Sequence, residues 1–286
     1  GWNTGAERIL GWPEREMLGQ PAHLIFTPED RDAEVPESEM RRAVRDGRAT
    51  DERWHLHKDA SRVFFEGVMR PLADSQGQVT GFLKVGQDAT ARRAAEAALR
   101  EKEEQQAFLL SLSDALGPLA LPAEIAAVAT ARLCEHLGVN RVFYGEIVGD
   151  LLKVERDHTS GVPSSVGEHS LKPFGPEFIS AYRPGAVVMV DNIEDDPRLA
   201  PAARATLRGR QVAAFTDAVL FEEGGEVSML AVQSATPRAW SRFEEGLIRE
   251  AAERVKSAIK RARAEEALRA SEERFRAFAE NSADTI

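Results

Sequence analysis

The chain opens with short helical patterns that give way to strand-like alternation. Residues 1–36 hold short helical pieces, in which Thr4 can cap the stretch that follows and Pro13 stands where helices often begin. An amphipathic helix is predicted over residues 38–46 and ends at Gly47. Runs rich in aromatic and β-branched residues then predict strands over 51–57, 61–69 and 79–87, with a turn at 74–77. Hairpin-connected strands after short helices indicate an α+β module with an antiparallel sheet.

From Asp88 the pattern becomes helical and continues to about Leu116. Eight positions along this helix follow one another at alternating steps of four and three residues, which is the spacing of a heptad seam. The first are alanines, the middle two are polar and the last are leucines. The seam comprises Ala91, Ala95, Ala98, Lys102, Gln105, Leu109, Leu112 and Leu116. One interpretation is that its leucine half packs on its own domain and its alanine half is a plain solvated helix. We favour pairing of the 91–102 half with a second copy of the chain.

A second module follows this helix. Helices are predicted over 122–137, where Gly138 provides the stop, and over 174–182, 202–208 and 242–262. Strands are predicted over 141–147, 151–157, 186–191, 212–221 and 226–233. This order indicates a central antiparallel sheet with helices on one side.

A helix-forming pattern occurs twice, at 95–104 and again at 264–273. Both copies are rich in Ala, Leu, Glu and Arg and contain neither Gly nor Pro, so each predicts a helical connector after a globular module. We therefore divide the chain into a module at 1–88, a connector at 89–107, a module at 108–262, and a connector with the start of another module at 263–286. Because the sequence begins and stops in the middle of a pattern, we expect it to be part of a longer protein.

Composition narrows the class of protein. The net charge is −10 and the pI is near 5.3, so no basic field is available for nucleic acid or anionic lipid. The single Cys134 excludes an intramolecular disulfide framework and fits a reducing, cytoplasmic compartment. No apolar run approaches the ~18 residues of a membrane span, so no membrane contact is expected in this segment.

Candidate chemistry is sparse, and we predict neither a catalytic residue nor a metal site. The glycine-rich phosphate motifs are missing. Cys134 is predicted to be a small buried hydrophobe on a helix. His55 and His57 share one face of a predicted strand, where a solvated edge is favoured over a metal site because no third ligand is evident. The aspartates of the loop 191–196 are expected to cap local turns, although a calcium site is an alternative.

Residues 1–88 resemble the C-terminal two-thirds of a PAS domain. The resemblance rests on four stretches, 2–12, 26–31, 53–59 and 81–85, and on Asp88-Ala89-Thr90, which is similar to the triplet that ends a PAS core. The opening strands of that fold are missing from the pattern. Residues 271–286 resemble the beginning of another PAS domain.

Residues 108–262 resemble a GAF domain, on the strength of 190–198 and 230–241. Tandem arrays of this kind are similar to the input halves of bacterial sensor histidine kinases, so the resemblance implies a kinase domain outside this chain. The flavin-adduct motif Asn-Cys-Arg-Phe-Leu is missing, Cys134 lies away from the position of bilin attachment, and the cyclic-nucleotide pattern is absent. No cofactor is therefore assigned.

If the GAF segment has a ligand pocket, position around the central sheet predicts that it is lined by Phe174, Phe178, Tyr182, Phe215 and Asp217. Asp217 interrupts the apolar strand 213–220, so it either faces solvent or anchors a donor of a ligand. We favour the solvent face, because a buried unpaired carboxylate is costly.

These observations favour a dimeric sensory input module that relays a signal through its helices, with contacts near 91–116 and 247–278. A GAF-type small-molecule-binding or redox enzyme is the alternative, although one cysteine makes paired-thiol chemistry difficult. A ligand-free spacer, as in a diguanylate cyclase-type protein, is a third hypothesis.

Overall fold

The computed structural model describes residues 1–221 and 225–283, with side chains described through Arg276. The chain divides into two compact units, Gly1–Lys102 and Glu103–Ile286. In the described part of the chain, no helix is both long enough and apolar enough to cross a bilayer. The predicted start of a second PAS domain at 271–286 lies partly outside the described residues.

The N-terminal unit places short helices against a three-stranded sheet. The helices are α1 (Thr4–Leu10), α2 (Glu14–Met17), a 3₁₀ turn (Ala22–Ile25), α3 (Pro28–Asp32) and α4 (Val35–Asp46). The strands are β1 (Ala49–Leu56), β2 (Arg62–Ala73) and β3 (Val79–Asp88), antiparallel in the order β1-β2-β3. The strands were predicted to within a few residues at their ends.

Two predictions about helix starts in this unit were wrong in detail. Asn3, not Thr4, caps α1, because the Asn3 side chain accepts a hydrogen bond from the Ala6 amide at 2.9 Å. Helix α4 begins at Val35, earlier than the predicted residue 38, and ends at Asp46 before Gly47 in the left-handed conformation (φ +75°), as expected.

Helix α5 (Thr90–Leu116) is continuous through the first copy of the repeated pattern. Asp88 begins it by accepting a hydrogen bond from the Thr90 amide at 2.8 Å. Leu109, Leu112 and Leu116 are buried in the core of the C-terminal unit, whereas residues 91–104 are exposed. The leucine half of the seam therefore packs on its own domain, and only the other half is free for another contact.

The C-terminal unit is built on a six-stranded antiparallel sheet in the order β6-β5-β4-β9-β8-β7. Its strands are β4 (Arg141–Val148), β5 (Leu151–Thr159), β6 (Gly167–Ser170), β7 (Val187–Val190), β8 (Ala214–Phe221) and β9 (Val227–Ser234). Its helices are α6 (Pro122–Leu137), a 3₁₀ turn (Lys172–Phe174), α7 (Gly175–Ile179), α8 (Pro201–Gly209) and α9 (Arg242–Ala283).

Helices cover both faces of this sheet, so the prediction of helices on one side was wrong. One face packs the end of α5 with α6 and α9, through residues such as Leu112, Leu133 and Leu247. The other face packs α7 and α8 against the sheet, through residues such as Phe178 and Leu207. The predicted helix 174–182 is split into a 3₁₀ turn and the five residues of α7, and this short, aromatic-rich covering leaves a cleft over the sheet.

Candidate functional site

The cleft lies on the α7–α8 face of the C-terminal sheet. Alternation along β8 decides which side chains reach it: Ala214 and Ala218 face the α6–α9 side, whereas Phe215, Asp217 and Val219 point the other way. The cavity within the cleft has a volume of about 40 Å³. Its polar lining comprises His169, Ser170, Tyr182, Thr206, Arg210, Asp217 and Gln233.

Four of the five residues predicted for the pocket line this cleft: Phe174, Tyr182, Phe215 and Asp217. Phe178 lies behind them and is fully buried. Its ring centroid is 5.6 Å from that of Phe174, 5.7 Å from that of Tyr182 and 6.0 Å from that of Phe215. Phe178 therefore holds the aromatic wall in place and does not itself line the cavity.

Asp217 is buried, so the prediction that it faces solvent was wrong. The side chain is only 4% exposed, because strand alternation places it beside Phe215 on the covered face. Its Oδ2 accepts a hydrogen bond from the Tyr182 hydroxyl at 2.6 Å, and its Oδ1 has no hydrogen-bond partner among the described residues. Burial raises the pKa of Asp217 to about 7, although the Tyr182 hydrogen bond acts in the opposite direction. Burial likewise raises the pKa of Tyr182.

The other end of the cleft, which His169 and Arg210 form, was not predicted. Arg210 Nη2 donates to His169 Nδ1 at 2.6 Å, and His169 Nε2 donates to the Ser165 carbonyl oxygen at 2.6 Å. Burial lowers the pKa of Arg210. His169 belongs to edge strand β6, whose sequence Gly-Glu-His-Ser has no β-branched residue and therefore no strand signal.

A buried arginine supports this end of the cleft. Arg141 on β4 donates through Nε to the Pro163 carbonyl oxygen at 3.0 Å, through Nη1 to Gln233 Oε1 at 2.7 Å, and through Nη2 to the Arg210 carbonyl oxygen at 3.1 Å. The guanidinium thus ties the loop after β5 and the segment before β8 to the central strands. The planar guanidinium holds its N–H donors in a fixed arrangement, so it can bind several carbonyl oxygens at once and hold these segments together.

The N-terminal unit contains a buried polar cluster that corrects another prediction. His55 is not on a solvated edge: it is 1% exposed, donates through Nδ1 to the Ile25 carbonyl oxygen at 2.9 Å, and donates through Nε2 to Asp51 Oδ2 at 2.8 Å. His57 follows the end of β1 and pairs with Asp59 at 2.8 Å. The two imidazoles are therefore in different environments and do not form one site.

Lys84 and Glu39 complete this cluster. Lys84 Nζ lies 2.6 Å from Asp51 Oδ2 and 3.4 Å from Glu39 Oε2, and 4.4 Å from the ring centroid of Phe26. Glu39 is fully buried, and burial raises its pKa against the opposing charge of Lys84. Spacing could have suggested part of this cluster, since Asp51, Arg53 and His55 alternate along one strand and share a face.

The remaining candidates have structural explanations. Cys134 is buried, its Sγ donates to the Val139 carbonyl oxygen at 3.0 Å, and burial raises the pKa of its thiol, which disfavours the reactive thiolate. Asp191 accepts from the Trp240 amide at 3.0 Å, and Asp196 accepts from the Arg198 amide at 2.9 Å. Within residues 1–221 and 225–283, no cluster of three or more His, Cys, Asp or Glu side chains could hold a metal ion.

Two family models match parts of this chain. The PAS fold model matches residues 1–94, and the GAF domain model matches residues 122–259. Two-component system protein A of Emericella nidulans is 35% identical over 98 residues, which cover 34% of this chain and 14% of that protein. The matched segment is thus a small fraction of that relative's length.

Solved structures agree on the fold. The bacteriophytochrome RpBphP3 from R. palustris matches with a TM-score of 0.53 at 14% identity, over 96% of this chain and 57% of that chain. The chromophore-binding domain of the same bacteriophytochrome matches with a TM-score of 0.50 at 13% identity, over 91% of this chain and 88% of that chain. The chain therefore contains a PAS-fold domain followed by a GAF domain, in a mixed architecture of antiparallel sheets and flanking helices.

Proposed function

We propose that this chain is the sensory input region of a cytoplasmic two-component signalling protein of the sensor histidine kinase type. The observation that carries the proposal is the presence of PAS and GAF domains together with a two-component relative. In this proposal the kinase domain belongs to another part of the full protein, and residues 271–286 begin a second PAS domain. The GAF cleft is the input site for a small molecule.

The signal would travel through the two long helices. The C-terminal part of α5 and the N-terminal part of α9 are both built into the GAF core, through buried residues such as Leu112, Leu116, Leu247 and Val255. Each helix continues beyond that core without a break, α5 back to Thr90 and α9 on to Ala283. A change of packing in the core can therefore displace a rod, provided that two arrangements differ by only a few kcal/mol and a ligand favours one of them.

The exposed parts of these rods carry apolar side chains suited to pairing with a second copy. Leu99 on α5 is 58% exposed, and Leu268 and Phe275 on α9 are 61% and 77% exposed. Leu268 and Phe275 are one heptad apart, which places them on one stripe of the helix. We propose a homodimer through the exposed parts of these helices, residues 91–104 of α5 and 263–276 of α9, with the stripe at Leu268 and Phe275 in contact. Within the wider segments 91–116 and 247–278, residues such as Leu112 and Leu247 are buried in the GAF core and take no part in that contact.

Sedimentation equilibrium of the whole chain at micromolar concentration tests this function. We expect a dimer for the unchanged chain and a weakened dimer for Leu99→Glu and for Leu268→Glu, because each variant places a charge in the proposed contact. Val148→Glu is the matched control, since Val148 is an equally exposed apolar residue in a hairpin of the GAF sheet (70% exposed). A strict monomer, or a dimer that responds to all three substitutions alike, would contradict the proposal.

A further inference from the structure

The GAF cleft contains a carboxylate oxygen that the protein leaves open. Asp217 lines the cavity, is 4% exposed, and receives a hydrogen bond at Oδ2 from Tyr182. Its Oδ1 has no partner within the described residues. Buried polar atoms are nearly always paired, and an unpaired one destabilises the folded state. A ligand that brings an N–H donor to Oδ1 would remove that destabilisation.

Aromatic rings lie around the same carboxylate. Phe143 on β4 and Asp217 on β8 are both cross-strand neighbours of Ala231 on β9, so the three side chains share one face of the sheet. Phe143 and Asp217 both line the cavity, and Ala231, which lies between them in the sheet, has only a methyl side chain. Phe215 lines the cavity as well. Ring faces attract cations, and they do so most strongly where water is excluded.

We propose that this cleft binds a small organic cation, a primary or methylated ammonium group, between the carboxylate of Asp217 and the rings of Phe143 and Phe215. The inference rests on the proposed sensory function and names the class of signal for the same site. A cavity of about 40 Å³ exceeds the ~10–15 Å³ that a buried site needs to hold one water molecule. It therefore has room for a small head group such as an ammonium at Asp217.

Charges at the two ends of the cleft give the ligand an orientation. Arg210 is the cation of the far end, where its Nη2 is held by His169. Like charges repel most strongly in a poorly solvated site, so the ammonium head belongs at the Asp217 end. Any polar or anionic remainder of the natural ligand would extend toward Arg210.

Ionisation gives this proposal a directional test. The titratable and charged groups that line the cleft are Asp217, Tyr182, His169 and Arg210. Burial raises the pKa of Asp217 to about 7, so below that pH its carboxyl group binds a proton that a cation must displace. Affinity for a cation should then fall by about tenfold for each pH unit below 7 and level off above it.

The experiment is calorimetric titration of the whole chain with methylammonium chloride, against sodium chloride at equal ionic strength, at pH 8 and pH 6. We expect saturable binding at pH 8 and about tenfold weaker binding at pH 6. Asp217→Asn should lower the affinity at pH 8 by tenfold or more. Asp195→Asn is the matched control, because this exposed aspartate of the loop after β7 receives its bond from Asn192 and does not line the cleft.

Three results would overturn the proposal: no saturable binding, equal affinity in both Asn variants, or tighter binding of neutral acetamide at pH 6, where a protonated Asp217 would act as a donor. Tyr182→Phe is a second variant that separates loss of binding from loss of folding, because it keeps the Asp217 carboxylate and the aromatic ring. It should still bind methylammonium, with the onset of binding moved to higher pH. A chain that sediments as a dimer but does not bind methylammonium would refute this ligand class and leave the sensory function standing.

Discussion

Two buried aspartates, one in each domain, have opposite environments. In the PAS domain, Asp51 receives Arg53 Nε at 2.7 Å, His55 Nε2 at 2.8 Å and Lys84 Nζ at 2.6 Å. In the GAF domain, Asp217 receives only the Tyr182 hydroxyl from the described part of the chain. Burial acts to raise the pKa of both, but the His55 hydrogen bond and the Lys84 charge bring the pKa of Asp51 well below its ordinary value.

The difference shows that burial alone does not define a site. A carboxylate supplied with donors on several sides stabilises the fold around it, and it has no capacity left for a ligand. A carboxylate supplied with one donor beside a cavity destabilises its own domain when ionised and gains by binding a cation. The same residue type thus has a structural role in one sheet and a proposed recognition role in the other.

The largest effect should come from breaking the satisfied cluster with Asp51→Asn. The substitution keeps the shape of the side chain but removes the charge, which leaves Lys84 and His55 partly unpaired in the core. We expect the PAS domain to lose about 3–5 kcal/mol of stability. Because the chain has two units, hydrogen exchange of the β1–β3 amides under increasing urea is the appropriate measurement.

Glu52→Gln is the control for that experiment, because Glu52 is the exposed neighbour on the same strand. It should change the stability by less than ~0.5 kcal/mol. If Asp51→Asn were equally mild, the cluster would not be a stabilising network, and the contrast with Asp217 would disappear.

The same substitution in the other sheet should have the opposite sign. The folded-state pKa of Asp217 is raised to about 7 from its ordinary value of 3.8. The native state therefore holds the proton more tightly than the unfolded state, and its stability falls as pH rises from about 4 to 7. Asp217→Asn removes that penalty, so we expect the GAF domain to gain about 1–4 kcal/mol at pH 8.

At pH 5 the gain should shrink to about a third of its value at pH 8, because only about a third of the pH range between the unfolded pKa of 3.8 and the folded pKa of about 7 has then been crossed. The gain should vanish only below about pH 4, where Asp217 is protonated in both the native and the unfolded state. Hydrogen exchange of the β8 and β9 amides at the two pH values measures this difference. A GAF domain that is less stable at pH 8 after Asp217→Asn would mean that Asp217 is satisfied in a way that the single Tyr182 contact does not provide.

Sequence reasoning predicted the elements more successfully than the environments of individual side chains. Helix α6 was predicted at its observed bounds, since Pro122 and Gly138 mark its two ends. The cleft-lining residues Phe174, Tyr182, Phe215 and Asp217 were also named from position. The direction in which Asp217 points was predicted wrongly, because the prediction considered only the cost of burying a carboxylate. It did not consider strand alternation, which places Asp217 on the same face as Phe215, or the hydrogen bond that the Tyr182 hydroxyl donates.

The residues that sequence reasoning missed depend on contacts between distant segments. Lys84 meets Asp51 and Glu39 across the sheet, and Arg210 meets His169 from a segment 41 residues away. Strand β6 carries no signal of its own, since an edge strand of four residues is held by pairing with β5 and not by its own propensity. Local pattern carries no information about such pairs.

The smallest effect should come from Tyr182→Phe, which removes the hydroxyl donor of Asp217 and keeps the ring that packs on Phe178. A hydrogen bond to a charged group contributes about 1.5–3 kcal/mol, and one to a neutral group about 0.5–1.5 kcal/mol. The loss should therefore be about 2 kcal/mol at pH 8, where Asp217 is ionised, and about 1 kcal/mol at pH 5. Adding Asp217→Asn to this variant completes a double-mutant cycle, whose coupling energy isolates the Tyr182–Asp217 contact. A coupling near zero at both pH values would show that Asp217 has no effective donor at all, and the contrast with the three donors of Asp51 would then be greater than the geometry indicates.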